Sequence, residues 1–276
     1  MYASFSLQVN DDYFQRDTHT EVLLERTASK RTVEQKQETD AATSLKYINT
    51  KLAPNASVTA GDIINYWFPA QASDVFISHS HGDIELATAL AIWLKKHFDL
   101  ASFIDSAVWG HARDLLREVD NEHCRNEDGR TYNYDRRNGT TSHVYLMLAN
   151  ALTSMIDSCE CLIFLNTPKS LSAKQAATNA ATYSPWIFTE LSVAEVIQRR
   201  SPDYHRRAKT AAASEGRIAS ERRDFTPIYD ISKQLRHTKQ IDSSDLDRWR
   251  RSKTYSRTGK HSLDLLYGLF PDKETK

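Results

Sequence analysis

Cysteine is scarce: Cys124, Cys159 and Cys161 are the only three in 276 residues. Three thiols so unevenly spaced are too few for a disulfide framework or a zinc site. Cys159 and Cys161 are two apart, so on a strand they share a face, and a reduced core pair is expected. An excess of one charge is also lacking. Lys plus Arg and Asp plus Glu each total 36, which leaves no overall electrostatic case for a nucleic acid or an anionic membrane as partner. The most apolar stretch, Val144 to Leu152, is far too short to span a bilayer. The opening MYASFSLQVNDDYF has no basic start followed by an apolar run. No signal peptide is therefore expected, and the chain reads as soluble and cytoplasmic. G-x-G-x-x-G, Walker and G-x-S-x-G patterns are missing, so hydride transfer, NTP hydrolysis and a serine nucleophile elbow have no support.

Hydrophobic residues make up 40% of the chain, enough for a sizeable core. Residues 1–56 are polar and lack sustained periodicity, and read as a polar N-terminal extension. The main domain is expected over 57–276, beginning in earnest near Asp62. After Pro54-Asn55, Thr59-Ala-Gly-Asp62 has helix-start character, and Ile63, Ile64, Trp67 and Phe68 follow at helical spacing until Pro69. Asp74-Val-Phe-Ile-Ser78 is a short run of β-formers, as in a buried parallel strand. From Asp83 to Phe98 the period turns helical, with Leu86, Leu90, Trp93, Leu94 and His97 on one stripe. Ala101–Asp105 reads as a second strand, Trp109–Val119 as a helix, and polar 121–141 as an exposed insertion. Ser142–Asp157 reads as a helix and Cys161–Leu165 as a third strand. Pro185 opens a further helix. Residues 199–224 are Arg-rich and read as a second insertion, Thr226–Tyr229 as an edge strand, and Ser262–Phe270 as a closing helix. Strands and helices alternating in this way predict a parallel sheet covered on both faces. Ligands then belong at the carboxyl ends of the strands, so the loops after Ser78, Asp105 and Leu165 are where chemistry is expected.

Four segments carry a family resemblance. Asp74-Val-Phe-Ile-Ser-His-Ser80 resembles the first strand and loop of the bacterial TIR (Toll/interleukin-1 receptor) domains, and Phe103-Ile-Asp-Ser106 their second strand. Leu162-Ile-Phe-Leu-Asn-Thr-Pro168 is similar to the central strand, and Ser184-Pro-Trp-Ile-Phe-Thr-Glu-Leu191 to the helix with the W-x-x-x-E pattern. The resemblance implies a flavodoxin-like α/β fold with a five-stranded parallel sheet. It implies that Glu190 cleaves the nicotinamide–ribose bond of NAD+, giving nicotinamide with ADP-ribose or a cyclic isomer, with NAD+ as substrate and no further cofactor. It implies a role in anti-phage defence, self-association through Ser106, Trp109 and Gly110, and a separate sensor or effector as partner. Two departures stand out: His79-Ser80-His81 replaces arginines found in some active relatives, and the 121–141 insertion lengthens a connection.

Trp186 and Glu190 are i and i+4, so a helix places a ring and a carboxylate on one face. The plainer alternative is a core tryptophan and a solvated glutamate. His79, Ser80 and His81 are candidates to contact ribose or phosphates, or form a self-satisfied polar loop. Asp105 is a candidate substrate contact or a cap for the next segment, and Trp109 an interface residue or a packed aromatic. The segment His79-Ser-His81-Gly-Asp83 also fits H-x-H-x-D, the spacing of a metal-dependent hydrolase, but Ile84 follows where that pattern has His, and Asp83 stands at a helix start. Arg199, Arg200, Arg206, Arg207 and Lys209 read as solvated surface or as a phosphate-binding patch. A non-catalytic TIR scaffold is the alternative to the enzyme.

Overall fold

The computed structural model describes residues 1–10, 12–14, 60–105, 112–171, 180–208, 229–255 and 259–271. Seven strands are present among them: β1 (Ala3–Gln8), β2 (Val75–Ser78), β3 (Ser102–Phe103), β4 (Cys161–Leu165), β5 (Ala181–Thr182), β6 (Tyr229–Asp230) and β7 (Lys239–Asp242). Five of these form one all-parallel sheet in the order β3-β2-β4-β1-β7. Helices cover it on both faces, as the alternation of elements predicts.

Period-2 alternation explains both layers of core. Phe5, Leu7, Val75, Ile77, Ile163 and Leu165 point to one face, under α2 (Ile84–Phe98), α8 (Ser243–Tyr255) and α9 (Ser262–Leu269). Phe76, Phe103, Leu162 and Phe164 point to the other. That face lies under α1 (Ala60–Trp67), α3 (Ala112–His123), α4 (Tyr134–Ser158), α5 (Pro185–Val196) and α7 (Ser232–Arg236). Local chemistry sets the helix ends. Ser184 accepts from the Ile187 N–H at 3.3 Å and Pro185 occupies the first turn of α5. Asp99 takes φ 56°, a left-handed conformation that closes the C-terminus of α2.

Several expectations need correction. The chain from Met1 is not an appendage: β1 lies between β4 and β7, with Phe5 opposite both Ile163 and Lys239. Asn166 secures it, its backbone N–H donating to the Leu7 carbonyl at 2.9 Å and its side-chain amide to Ser6 Oγ at 3.2 Å. Were β1 placed after β4 in the chain, the sheet would have the flavodoxin order 2-1-3-4-5. The N-terminus thus supplies the fourth position of that order. The edge strand beside β1 is β7. Of the segment expected there, Tyr229 instead pairs antiparallel with Thr182 in a separate two-stranded ribbon, and 226–228 lie outside the described residues.

Helix α4 starts at Tyr134, eight residues before the expected Ser142, because the Asn133 side chain accepts from the Arg136 N–H. The exposed insertion shrinks to a tight loop in which Gly129 has φ 62° and Arg125 bridges Tyr132. Cys159 and Cys161 are free and buried but do not share a face. Cys159 follows the end of α4 in one core layer, and Cys161 opens β4 in the other. The arginine cluster is not solvated surface throughout. Arg206 of α6 (Pro202–Ala208) bonds the carboxylates of Glu160 and Asp264, and Arg200 bonds Asp157 at 2.5 Å. No helix among the described residues is long and apolar enough to cross a membrane.

Candidate functional site

The strand order reverses between β2 and β4, and two groups of hydrogen-bonded polar side chains lie at the carboxyl ends of these strands. Ser78 is the last residue of β2. Its parity is that of Phe76, so its hydroxyl points into the layer covered by α5. On α5 the inward stripe is Ile187, Glu190 and Leu191. A glutamate therefore holds a core position, and Glu190 is only 3% exposed. Ser78 Oγ donates to Glu190 Oε2 at 2.6 Å.

A buried carboxyl group is normally matched by a cation. Among the described residues no Lys or Arg pairs with Glu190. Burial pushes its pKa well above the usual carboxyl range, the negative charge of Asp105 pushes the same way, and the Ser78 hydrogen bond opposes both. Asp105 follows β3 and is half-buried, its side chain 30% exposed. His79, directly after Ser78, turns its ring inward, with Nδ1 3.3 Å from the Ile77 carbonyl and 3.9 Å from Asp105 Oδ1. Glu190, Ser78, His79 and Asp105 thus form one group at the ends of β2 and β3.

A second group laces the loop after β2 to the loop after β4. Asp83 Oδ2 accepts from Ser80 Oγ and Thr167 Oγ1, both at 2.6 Å, and Asp83 Oδ1 lies 3.4 Å from Lys169 Nζ. Ser170 Oγ closes the loop on the Leu165 carbonyl at 2.9 Å. Asp83 stands at the N-terminus of α2 as expected, yet its side chain makes no capping bond. The two hydroxyls hold it instead.

Of the remaining candidates, His81 is exposed in the single turn His81–Asp83. His79, His81 and Asp83 do not converge, and no three His, Cys, Asp or Glu side chains among the described residues are grouped as metal ligands. Trp186 is half-buried with its ring 5.8 Å from that of Tyr145 on α4, so it packs in the α4–α5 layer. Ser106, Trp109 and Gly110 lie outside the described residues. Sequence reasoning missed Ser78, Thr167 and Lys169. For Ser78 the signal was present: a polar residue with inward parity at a strand end.

Comparison with protein-family models, with curated proteins and with solved structures returns no match.

Proposed function

We propose that this chain is a TIR-type enzyme that cleaves the nicotinamide–ribose bond of NAD+, with Glu190 as its catalytic carboxyl group. One observation carries the reading: a glutamate occupies a core position of α5 and meets Ser78 at the carboxyl end of β2, beside the switch point of the sheet. Structural glutamates are rarely buried without a cation, whereas perturbed carboxyls concentrate at reactive sites. The resemblance of four segments to the TIR domains supports the same residue, as the glutamate of the W-x-x-x-E pattern.

Nicotinamide leaves as a neutral heterocycle, taking the electron pair of the C–N bond, so the leaving group needs little assistance. Positive charge develops at the ribosyl carbon instead. A carboxylate close to the ribose stabilises that charge and bonds the ring hydroxyls. Ser78 fixes the orientation of the Glu190 carboxyl, and Asp105 adds negative charge from the neighbouring strand. Attack by water, which then loses a proton, gives ADP-ribose; attack by a hydroxyl of the same molecule, which likewise loses its proton, gives a cyclic isomer. The setting this implies is cytoplasmic anti-phage defence, with a separate sensor or effector and self-association through the Ser106–Gly110 segment.

The test is incubation of concentrated protein with NAD+ and chromatography of the products. Release of nicotinamide by the parent protein and not by Glu190→Gln is expected. Intact NAD+ at every protein concentration overturns the reading in favour of a non-catalytic scaffold.

A further inference from the structure

We propose that Glu190 is a neutral carboxylic acid that loses its proton when a positively charged ring binds beside it, so that the site selects cationic N-glycosides over uncharged ones. The inference rests on the reading that the site takes NAD+, and deepens it by naming what distinguishes NAD+ from its reduced form.

The geometry supplies the argument. Glu190 is enclosed, and its hydrogen-bond partner is a hydroxyl, which stabilises a carboxylate far less than a cation does. Among the described residues, Asp105 from the end of β3 is the ionisable group whose charge acts on it, and His79 directly follows its partner Ser78. His79 is turned to Asp105 and the Ile77 carbonyl. From α4, Tyr145 meets Trp186, one turn away. Lys233 of α7 does not serve Glu190: it pairs with Glu195 farther along α5 at 2.6 Å, and His237, just past α7, lies 3.5 Å from the same carboxylate. Burial and a neighbouring carboxylate both favour the protonated form, in agreement with the raised pKa of Glu190.

The oxidised nicotinamide ring carries a fixed positive charge and the reduced ring carries none. Placing that charge beside Glu190 supplies a cation that no described Lys or Arg provides. The O–H bond of the carboxyl group then breaks, its electron pair stays on the oxygen, and the proton passes to the buffer. Binding also generates the carboxylate that the cleavage step requires. The acid form is present until the right ring arrives.

The experiment is isothermal titration calorimetry of the full chain, at fixed pH in two buffers of different ionisation enthalpy. Carba-NAD+ is the cationic ligand, since it keeps the pyridinium charge and is not cleaved, and NADH is the uncharged one. The expected result is release of up to about one proton per site with carba-NAD+ and none with NADH. Affinity for carba-NAD+ should rise up to about tenfold per pH unit below the folded pKa of Glu190. In Glu190→Gln both the proton release and the pH slope should vanish. Carba-NAD+ binding without proton release overturns the inference while leaving NAD+ as the substrate. Proton release that persists in Glu190→Gln also overturns it, because another group is then responsible. Failure of carba-NAD+ to bind, with NAD+ left uncleaved, overturns the underlying reading as well.

Discussion

Ser78 and Glu190 are 112 positions apart in the chain, and the serine hydroxyl donates to the glutamate carboxyl at 2.6 Å. The contact joins the end of a central strand to the inward face of α5, so it fixes the spacing of helix and sheet as well as the carboxyl group. Each residue has been placed by its own periodicity, period 2 for Ser78 and the i, i+3, i+4 stripe for Glu190.

Glu190→Gln should abolish NAD+ cleavage and keep the fold. Glutamine has the same shape and retains a carbonyl oxygen for Ser78, so the thermal midpoint should move by only a few degrees. Glu190→Ala removes the acceptor, leaves a cavity and should cost about 1–3 kcal/mol. Product chromatography and thermal unfolding of both variants check this; parental turnover in a folded Gln protein would contradict it.

The same residue predicts a pH dependence of stability. Between the ordinary glutamate pKa of 4.5 and its raised folded value, Glu190 keeps a proton that the unfolded chain has lost. Stability should therefore fall as pH rises through that window, by at most about 1.4 kcal/mol per pH unit, and level off above it. His205 acts in the opposite sense. Burial lowers its pKa from 6.5 to about 4, so its share of stability is lost as pH falls through that interval. Comparing the parent with Glu190→Gln by urea unfolding isolates the first effect. Equal slopes in the two proteins would show that Glu190 does not titrate as described.

Arg206 should matter to stability more than its surface position suggests. It reaches both oxygens of buried Glu160 at 2.8 and 3.0 Å and both of Asp264 at 2.7 and 3.1 Å, while the Tyr267 hydroxyl bonds the same Glu160 at 3.1 Å. Arg206→Ala leaves Glu160 buried without its cation and should cost about 2–4 kcal/mol. Arg206→Lys keeps the charge and loses the fork geometry, and should fall between the two. Urea unfolding measures all three; an Ala variant as stable as the parent would remove the clamp from the account.

Residues 1–14 should be indispensable. Phe5 is fully buried on β1, an interior strand of the sheet. Phe5→Ala should cost about 3–5 kcal/mol, and a chain starting at residue 57 should not fold. Circular dichroism and proteolysis of the truncated protein decide this. A cooperative, folded 57–276 fragment would show that β1 is an accessory.

Specific activity should depend on protein concentration, because Asp105 is half-exposed and leads directly into the segment that the family resemblance assigns to self-association. Trp109→Ala or Gly110→Arg should then lower activity without unfolding the chain. A dilution series with parallel light scattering is the measurement. Constant specific activity in a monodisperse monomer would refute the dependence.

The amino-acid sequence by itself determined what is local and periodic. The short apolar runs in Asp74–Ser78 and Cys161–Leu165, the stripe of α2, the Ser184-Pro185 start of α5 and the place of Glu190 four residues after Trp186 all depend on nearest neighbours along the chain. The alternation of Ala3, Phe5 and Leu7 with Ser4, Ser6 and Gln8 was equally legible, although the polar composition of the following segment concealed it. Only the tertiary structure decided that this strand lies between β4 and β7, that Ser78 meets Glu190, and that Asp83 joins Ser80 and Thr167 rather than capping α2. Parallel strands are joined by crossovers, so hydrophobic pattern does not specify which strands become neighbours. Polar partners so distant in sequence meet only once the sheet has aligned the ends of its strands.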